Sequence, residues 1–556
     1  MPTQEHNLSI IRKIEQTVLD QHYRRFPLIS RNDEVAIPAL LKVFGDLVRA
    51  MIHDQNLGTE KHKANLMDQR AAALGHCFRW IALEPIHTLQ PALSSPQVIA
   101  QEAIDLLELG VRYHELYLDH VALTRGEKLA EIDQDTKTIK IHYKKPFDPF
   151  FLLAQRMDET DLTSLYYAPM PLEKLMAEWR SWSVQNKSGL QRRSDGLPSI
   201  GPGDQAYQTA FRWATDLIWR ELAPETSLNG FQLDDFSRVF AGLVVNCAFL
   251  AWTEDHEDQV RGPNRRRGTR IIGLSHERMV KWLQEISGVE AEASQGILTE
   301  LTLDTTRSLP SLAYQPFVKS KGGRTYLLPR SIFYSDAPRT LSQSLNTGNR
   351  RRIFESLGQQ MTDVQQSGIA TAFTNRGLDV LLDKPLRYGS KEIRPDLVIY
   401  DRACDYLLIA DYKNMINPLG PGQAISQMIN IRSYVKRIQE YLDVVQANLD
   451  IVRDRIPGLS ENPTVSGLLL FRDPTPLPLD RDTRVVMANW FSLQRFLSGV
   501  EYENLPRLIE WATDRPDLAI GQDSYKLEDS RILVGAWQYV REKMIRESQQ
   551  AKPEPS

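Results

Sequence analysis

The sequence predicts an α+β protein of several domains, mostly helical over its N-terminal two-thirds, with small hairpins, and α/β with a mixed central sheet nearer its C-terminus. The chain has 556 residues, a length typical of about three or four domains. Apolar residues recur at helical spacing over much of the first 345 positions. After residue 346, several apolar runs of strand length lie between longer helical stretches, and the last two are continuous enough for strands covered on both faces.

Changes in composition divide the chain into five segments. They are a helical domain with a β-hairpin at 1–185, a linker rich in Gly, Pro and Ser at 186–204, a helical region at 205–345, an α/β domain at 346–510, and helices followed by a disordered tail at 511–556.

Composition and charge exclude several classes of protein. The net charge of −4 excludes a wholly basic nucleic-acid binder, although local basic patches remain compatible with it. Three scattered cysteines indicate a reducing compartment and exclude a zinc site of the CxxC type. The N-terminus has no signal-peptide core, and the longest nearly apolar run, Phe240 to Trp252, is too short to span a bilayer. We therefore expect a cytoplasmic protein with no membrane contact.

Three patterns stand out before residue 346. The runs KLAEI and TIKIHY flank the polar turn DQDTK, which predicts a hairpin. The charged stretch EDHEDQVRGPNRRRGTR is predicted to be a loop. SHERMVKWLQEISG and EAEASQGILTELT then predict two helices, and a hairpin turning at Gly322 and Gly323 follows. This order is typical of a winged-helix module, but two packed helices beside an ordinary hairpin explain it at least as well.

The elements of the α/β region follow one another in a regular order. We predict helix 351–376, strand 378–386, strand 393–400, strand 406–413, helix 423–449, strand 465–471, strand 484–488 and helix 490–497.

Two aspartates lie inside the apolar strands at 393–413. A hairpin turning at Ala403 and Cys404 makes Asp396 and Asp411 cross-strand neighbours, with Cβ atoms about 4.5–5.5 Å apart. Lys413 points to the same face, because side chains alternate along a strand. Two carboxylates so close require a compensating cation.

Oxygen ligands favour Mg²⁺ or Mn²⁺ as that cation. A third acid, Glu355, lies on the helix before the strands, where it could face the same site. A cluster of Glu355, Asp396, Asp411 and Lys413 suits phosphodiester hydrolysis: a metal neutralises the phosphate, while the lysine orients or activates a water.

These residues resemble the PD-(D/E)XK nuclease superfamily. The resemblance rests on the PD dipeptide ending at Asp396 and on the DYK tripeptide from Asp411 to Lys413, with Glu355 upstream, and it covers roughly 346–500. It implies a restriction-endonuclease-like domain in which the two aspartates are metal ligands, the lysine is catalytic and Glu355 assists metal or water binding. Mg²⁺ would be the cofactor, with Mn²⁺ as a substitute.

Other residues are candidates for contacts with nucleic acid. Some branches of the superfamily carry Gln and Tyr one helical turn apart on the next helix, whereas Gln427 and Tyr434 are seven residues apart, so the branch stays open. Basic side chains could grip phosphates near the site or beside the winged-helix pattern, although solvated positions explain them as well. They are Arg350, Arg351, Arg352, Arg265, Arg266 and Arg267.

We therefore predict a metal-dependent endonuclease acting on nucleic acid, with DNA as the expected substrate. The N-terminal region would recognise or sense the target, as in bacterial anti-phage defence or restriction. The alternatives are a non-catalytic nucleic-acid-binding or assembly protein on a nuclease-like fold, and a nuclease that cleaves RNA or acts in repair. Protein partners and a homo-oligomer stay open.

Overall fold

A computed structural model of the chain describes most of its residues. They are residues 4–53, 60–85, 95–125, 128–144, 171–185, 197–217, 222–228, 230–261, 269–306, 311–334, 341, 351–415, 421–472, 484–500, 502–514 and 525–546. Helices and several small mixed sheets alternate, so the protein belongs to the α+β class.

The chain divides into two compact units. The first contains Met1–Lys144, Tyr167–Ile353 and Leu527–Ser556, and the second contains Lys145–Tyr166 and Phe354–Lys526. Apart from Lys145–Tyr166, the regions predicted at 1–185 and 205–345 thus share one unit.

The first unit starts with long helices and a hairpin. These are α1 (Gln4–Ile14), the short helical segments Glu15–Leu19, Asp20–His22, Tyr23–Arg25 and Pro27–Ser30, α2 (Asp33–His53), α3 (Glu60–Leu83), α4 (Pro96–Arg125), β1 (Lys128–Asp133) and β2 (Thr138–Tyr143). The strands β1 and β2 pair antiparallel, which confirms the predicted hairpin.

The same unit continues with a second helical region. Its elements are α5 (Leu172–Gln185), α6 (Gln205–Leu217), β3 (Ser227–Leu228), β4 (Phe231–Gln232), α7 (Leu233–Arg261), β5 (Ile272–Ser275), α8 (His276–Ser287), α9 (Ala291–Leu301), β6 (Phe317–Lys319), β7 (Arg324–Leu327) and a 3-10 helix (Pro329–Tyr334).

The second unit holds the α/β region. Its elements are α10 (Arg351–Thr374), β8 (Asp379–Leu382), β9 (Leu386–Tyr388), β10 (Lys391–Ile393), β11 (Leu397–Asp401), β12 (Tyr406–Lys413), α11 (Pro421–Ala447), α12 (Asp450–Arg453), β13 (Thr464–Phe471), β14 (Val485–Asn489), α13 (Trp490–Ser498) and α14 (Leu505–Asp514). The strands β15 (Tyr525–Val534) and β16 (Trp537–Arg546) follow, and from Leu527 onward the chain belongs to the first unit.

A five-stranded mixed sheet organises the second unit. Its order is β14-β13-β12-β11-β8, with β8, β11 and β12 antiparallel and β12, β13 and β14 parallel. One face packs on α10, α13 and α14, and the other packs on α11 and α12. Because both faces are covered, β12 is apolar throughout apart from its last three residues, where Asp411 and Lys413 lie.

The helix α7 is largely buried within the first unit. Its stretch Leu233–Val260 is long and apolar enough to cross a membrane by composition, but 89% of its most apolar part is buried inside the protein. This burial is typical of a core helix, and it confirms the prediction of a buried helix at Phe240–Trp252.

The predicted linker and charged loop need correction. Residues 197–204 of the linker are tied to the core, because Asn246 exchanges hydrogen bonds with the backbone of Ile200 at 2.8 and 3.0 Å. The start of the charged stretch belongs to α7, and its acids are paired. Arg330 Nη2 lies 2.7 Å from Asp255 Oδ1 and 3.6 Å from Glu254 Oε2. The acidic residues at the start of this stretch are therefore helical and paired with an arginine, and they are not solvated in a loop.

Glu254 gives the first unit a testable pH dependence. Burial raises the pKa of Glu254 from 4.5 to about 7, against the opposing charge of Arg330. Between these values the folded state holds a proton that the unfolded state releases, so this residue's contribution to stability falls as pH rises, by at most about 3 kcal/mol. Glu254→Gln removes that dependence. In urea unfolding, the free energy of unfolding of the variant minus that of wild type should increase from pH 5 to pH 8.

The control for this measurement is Glu290→Gln, because Glu290 is exposed. Its stability difference from wild type should be the same at both pH values. An equal difference for Glu254→Gln at pH 5 and pH 8 would contradict the raised pKa.

The winged-helix pattern includes a strand, β5, that was not predicted from the sequence. The strand β5 pairs with β7, and β7 pairs with β6, so the order β5-β7-β6 joins the hairpin to the chain before α8. The exposed residues of α9 include Glu292 and no cation. A helix that binds DNA phosphates needs positive charge, so this face of α9 does not suit that role.

The segment after α14 was predicted to be helical, and this is wrong. The strands β15 and β16 join at Gly535, which has φ +60°, and complete a four-stranded sheet of order β1-β2-β16-β15. The strand β16 runs parallel to β2. At the end of β15 burial alternates with the period of a strand, because Ile532 and Val534 are buried whereas Arg531 and Leu533 are exposed. The predicted disordered tail, from Glu547 onward, lies outside the described residues.

Buried charges fix these strands to α4. Asp119 Oδ1 accepts a 2.7 Å hydrogen bond from Lys128 Nζ, and Asp119 Oδ2 accepts one from Arg541 Nε. Glu115 accepts 2.7 Å hydrogen bonds from Arg541 and Lys543. Asp119, Lys128 and Arg541 are each less than 5% exposed, so each charge depends on its partners.

Candidate active site

The hairpin of β11 and β12 brings the two predicted aspartates together. Leu397 pairs with Ala410, and continuing this register by one residue places Asp396 opposite Asp411. The backbone N–H of Asp396 donates to Asp411 Oδ1 at 3.3 Å, and that of Tyr412 donates to Asp396 Oδ2 at 2.7 Å. The prediction of cross-strand neighbours is confirmed.

The strand period explains why these carboxylates share a face. Leu407 and Ile409 point to the side of the sheet covered by α11, so Asp411 and Lys413 point there as well. The side chain of Asp411 is 1% exposed, whereas that of Asp396 is 21% exposed. The pair thus lies at one end of the apolar layer between the sheet and α11, and Asp396 is the nearer of the two to solvent.

Lys413 contacts both carboxylates. Its Nζ lies 3.2 Å from Asp396 Oδ2 and 3.3 Å from Asp411 Oδ2, and it donates to the carbonyl of Tyr412 at 3.0 Å. Burial raises the pKa of Asp396, Lys413 opposes that rise, and the negative charge of Asp411 adds to it. The ammonium group is therefore held at the centre of the site by three oxygens.

A second cation, which the sequence analysis did not single out, also neutralises Asp411. Arg437 Nη2 lies 2.5 Å from Asp411 Oδ2. The two carboxylates are thus balanced by Lys413 and Arg437, where the sequence led us to expect a metal ion and Lys413. The contact of Arg437 with Asp411 was not predicted, because the two residues are 26 positions apart and meet only through the packing of α11 on the sheet.

The α11 residues facing the site repeat at helical spacing. Tyr434, Arg437 and Tyr441 are separated by three and four positions, so they share one face of the helix. The ring centre of Tyr434 lies 5.3 Å from Lys413 Nζ and 5.5 Å from Arg437 Cζ. Burial raises the pKa of Tyr441, and the charge of Asp411 raises it further. This spacing was the available sequence signal for Arg437.

Glu355 does not join the two aspartates. It is exposed on α10, about one turn before Gly358, whose carbonyl accepts a 3.3 Å hydrogen bond from Asn414. Within the described ranges, the protein holds no group of three or more His, Cys, Asp or Glu side chains that could bind a metal ion. The expected convergence of Glu355, Asp396 and Asp411 into one metal-binding group is therefore not seen among the described residues.

Several predicted nucleic-acid contacts lie outside what the structure describes. Arg350, Arg265, Arg266 and Arg267 fall on undescribed residues. Arg351 and Arg352 begin α10 and Gln427 lies on α11, but their side chains are not among those described. Tyr434 alone of these candidates is placed beside the site.

The donor set can be tested for a divalent cation. Two opposed carboxylates are oxygen ligands of the kind that Mg²⁺ and Mn²⁺ take, usually with several waters. Among the described residues, the two hydrogen bonds that Asp396 accepts both go to Oδ2. Asp411 Oδ2 is shared by Lys413 and Arg437. The pair therefore fits such a cation once Arg437 gives up its oxygen.

Comparison of the chain with protein-family models, with curated proteins and with solved structures gives no match in any of the three.

Proposed function

We propose that the second unit is a metal-dependent nuclease domain of the PD-(D/E)XK type, which hydrolyses phosphodiester bonds. The observation that carries the proposal is the opposition of Asp396 and Asp411 at the end of a hairpin, with Lys413 Nζ within 3.3 Å of both. The order of α10, three sheet strands, α11 and a parallel strand agrees with the restriction-endonuclease-like core that the motif implies.

In this proposal each side chain has a defined role. Asp396 and Asp411 would hold Mg²⁺ or Mn²⁺, which when bound neutralises phosphate charge and acidifies a water. Lys413 is held in place by both carboxylates and the Tyr412 carbonyl. Its ammonium group would orient the attacking water and stabilise the charge that develops on the phosphate oxygens. Glu355 stays outside this set.

We propose DNA as the substrate and the first unit as a recognition or sensing region, in a cytoplasmic protein of anti-phage defence or restriction. An RNA-cleaving or repair nuclease is compatible with the same site, because the site's charges act on phosphate and not on the sugar. Protein partners or a second copy of the chain would bind through the first unit.

One observation favours a second candidate, a non-catalytic nucleic-acid-binding protein on the same fold. Arg437 and Lys413 together balance both carboxylates. Such a site is electrostatically complete without a metal ion, as in a purely structural ion network.

Cleavage assays on the purified chain separate these candidates. Plasmid, linear and single-stranded DNA and single-stranded RNA would be incubated with Mg²⁺, Mn²⁺ or a chelator. We expect cleavage only with Mg²⁺ or Mn²⁺. In Asp411→Asn we expect a loss of at least about 10²-fold, because one metal ligand is weakened, with partial rescue by extra Mn²⁺.

Asp443→Asn is the matched control, since Asp443 lies on α11, is 66% exposed and pairs with Arg484. It should cleave like wild type. Binding of nucleic acid without cleavage under any metal would favour the non-catalytic candidate, and cleavage that persists with chelator would contradict the metal-dependent mechanism.

A further inference from the structure

We propose that Arg437 binds the phosphate of the substrate in this site, and that it covers Asp411 until a divalent cation takes its place. The inference rests on the proposed nuclease function. It adds a residue outside the DYK tripeptide, and it adds an order of events: the guanidinium leaves the carboxylate for a phosphodiester.

The first support is the incomplete pairing of the guanidinium. Arg437 uses Nη2 on Asp411, whereas its Nε is buried and has no hydrogen-bond partner among the described residues. An arginine that binds only a carboxylate often engages it with two parallel N–H groups. Here one buried donor remains unused, which is the arrangement expected of a group that has a further anion to bind.

The second support is the difference in exposure between the partners. The side chain of Asp411 is 1% exposed, and that of Arg437 is 42% exposed. Arg437 therefore lies on the solvent side of a carboxylate that is otherwise enclosed. Because the arginine side chain is long and flexible, it can leave this position without any movement of α11 or β12.

The third support is competition for one oxygen. A Mg²⁺ ion binds carboxylate oxygen at about 2.0–2.1 Å, and the Arg437 Nη2 contact at 2.5 Å occupies Asp411 Oδ2. Lys413 Nζ already lies 3.3 Å from the same oxygen, so a metal ion there would be a third cation and would add to the repulsion. Arg437 is the more exposed of the two side chains, and unlike Lys413 it contacts only one of the two carboxylates, so it is the cation that leaves. A metal ion on Asp396 and Asp411 would therefore displace the guanidinium, and a planar fork of donors beside a metal site matches phosphate geometry.

The surroundings keep the released side chain near the site. The ring of Tyr434 lies 5.5 Å from Arg437 Cζ. An aromatic face attracts a guanidinium, so Arg437 can remain beside the reacting phosphate after leaving Asp411. Lys413, which also faces this ring, keeps its contacts with both carboxylates.

Two binding measurements without catalysis test the proposal. In the first, Mn²⁺ is titrated into the full chain by calorimetry in the absence of nucleic acid. We expect Arg437→Ala to bind Mn²⁺ about tenfold more tightly than wild type, because the competing cation is gone. In the second, a short DNA duplex is titrated with Ca²⁺ present. There we expect Arg437→Ala to bind at least about tenfold more weakly.

Two further variants make the result specific. Arg437→Lys keeps the charge but loses the fork, so it should retain near wild-type Mn²⁺ affinity and still bind DNA more weakly. Arg432→Ala removes an exposed arginine of the same helix and should change neither measurement. Arg437→Lys also preserves a partner for Asp411, so it keeps the test usable if the alanine variant does not fold.

The outcomes separate this inference from the proposed function. If wild type and Arg437→Ala bind Mn²⁺ equally, or the variant binds DNA as tightly as wild type, the role of Arg437 is wrong and the nuclease proposal stands. If neither wild type nor any Arg437 variant binds Mn²⁺, the metal-dependent function itself fails.

Discussion

Replacing Lys413 with alanine should reduce cleavage by about 10²–10³-fold, the usual loss when one preorganised stabilising group is removed. Both carboxylate ligands remain, so Mn²⁺ binding should persist. The loss should appear in kcat, because the ammonium group acts mainly on charge that develops during the reaction. Single-turnover cleavage of a defined DNA substrate measures the cleavage rate, and calorimetric titration measures the affinity for Mn²⁺.

The Lys413→Ala variant also has a stability signature. Lys413 is the only cation that contacts both carboxylates among the described residues. Without metal, its loss leaves Asp396 unpaired opposite Asp411, so the melting temperature should fall, and Mn²⁺ should restore most of it. Lys436→Ala, which removes a 77% exposed lysine on α11, is the control and should match wild type in both assays. A Lys413→Ala protein that cleaves normally would remove the lysine from the mechanism.

Replacing Asp119 with alanine should lower the unfolding free energy by about 3–5 kcal/mol, the cost of removing one partner of a buried ion pair. The change leaves Lys128 and Arg541 in the interior, each 4% exposed, without the carboxylate that accepts from both. In thermal unfolding of the full chain, the transition of the first unit should occur at a lower temperature than in wild type.

Asp105→Ala provides the comparison for Asp119, because Asp105 lies on the same helix α4, is exposed and accepts a hydrogen bond from Gln101. It should change stability by less than about 0.5 kcal/mol. Equal melting curves for the two variants would show that the network around Asp119 contributes little.

Local patterns predicted the second unit well. The strand β12 was predicted at 406–413 and lies at Tyr406–Lys413, because its apolar run ends in charged residues whose period-2 placement fixes the face. The turn at 403–404 and the opposition of Asp396 and Asp411 followed from symmetry about that turn. Each of these features depends on neighbours within one hairpin, which sequence spacing specifies directly.

Features that depend on packing between distant elements were not predicted. Arg437 reaches Asp411 only because α11 lies along the sheet at one particular rotation, and helix rotation is set by the whole apolar layer. The place where α10 passes β12 likewise decides whether Glu355 can reach the site. The strands β15 and β16 were mistaken for helices because Glu, Lys and Arg within them favour helices, while β2, which pairs with β16, lies hundreds of residues earlier.

That pairing has a consequence for how the protein is made. Arg541 follows its partner Asp119 by 422 residues, and the whole second unit is translated between them. At about 5–20 residues per second, roughly 20–80 s separate their synthesis. During that interval the hairpin of β1 and β2 has an open edge and Lys128 lacks part of its final surroundings. The second unit can thus fold on the ribosome before the first unit is complete. A nascent chain that stalls after α14 would hold Asp396 and Asp411 in a folded second unit, while the first unit still lacks β15 and β16.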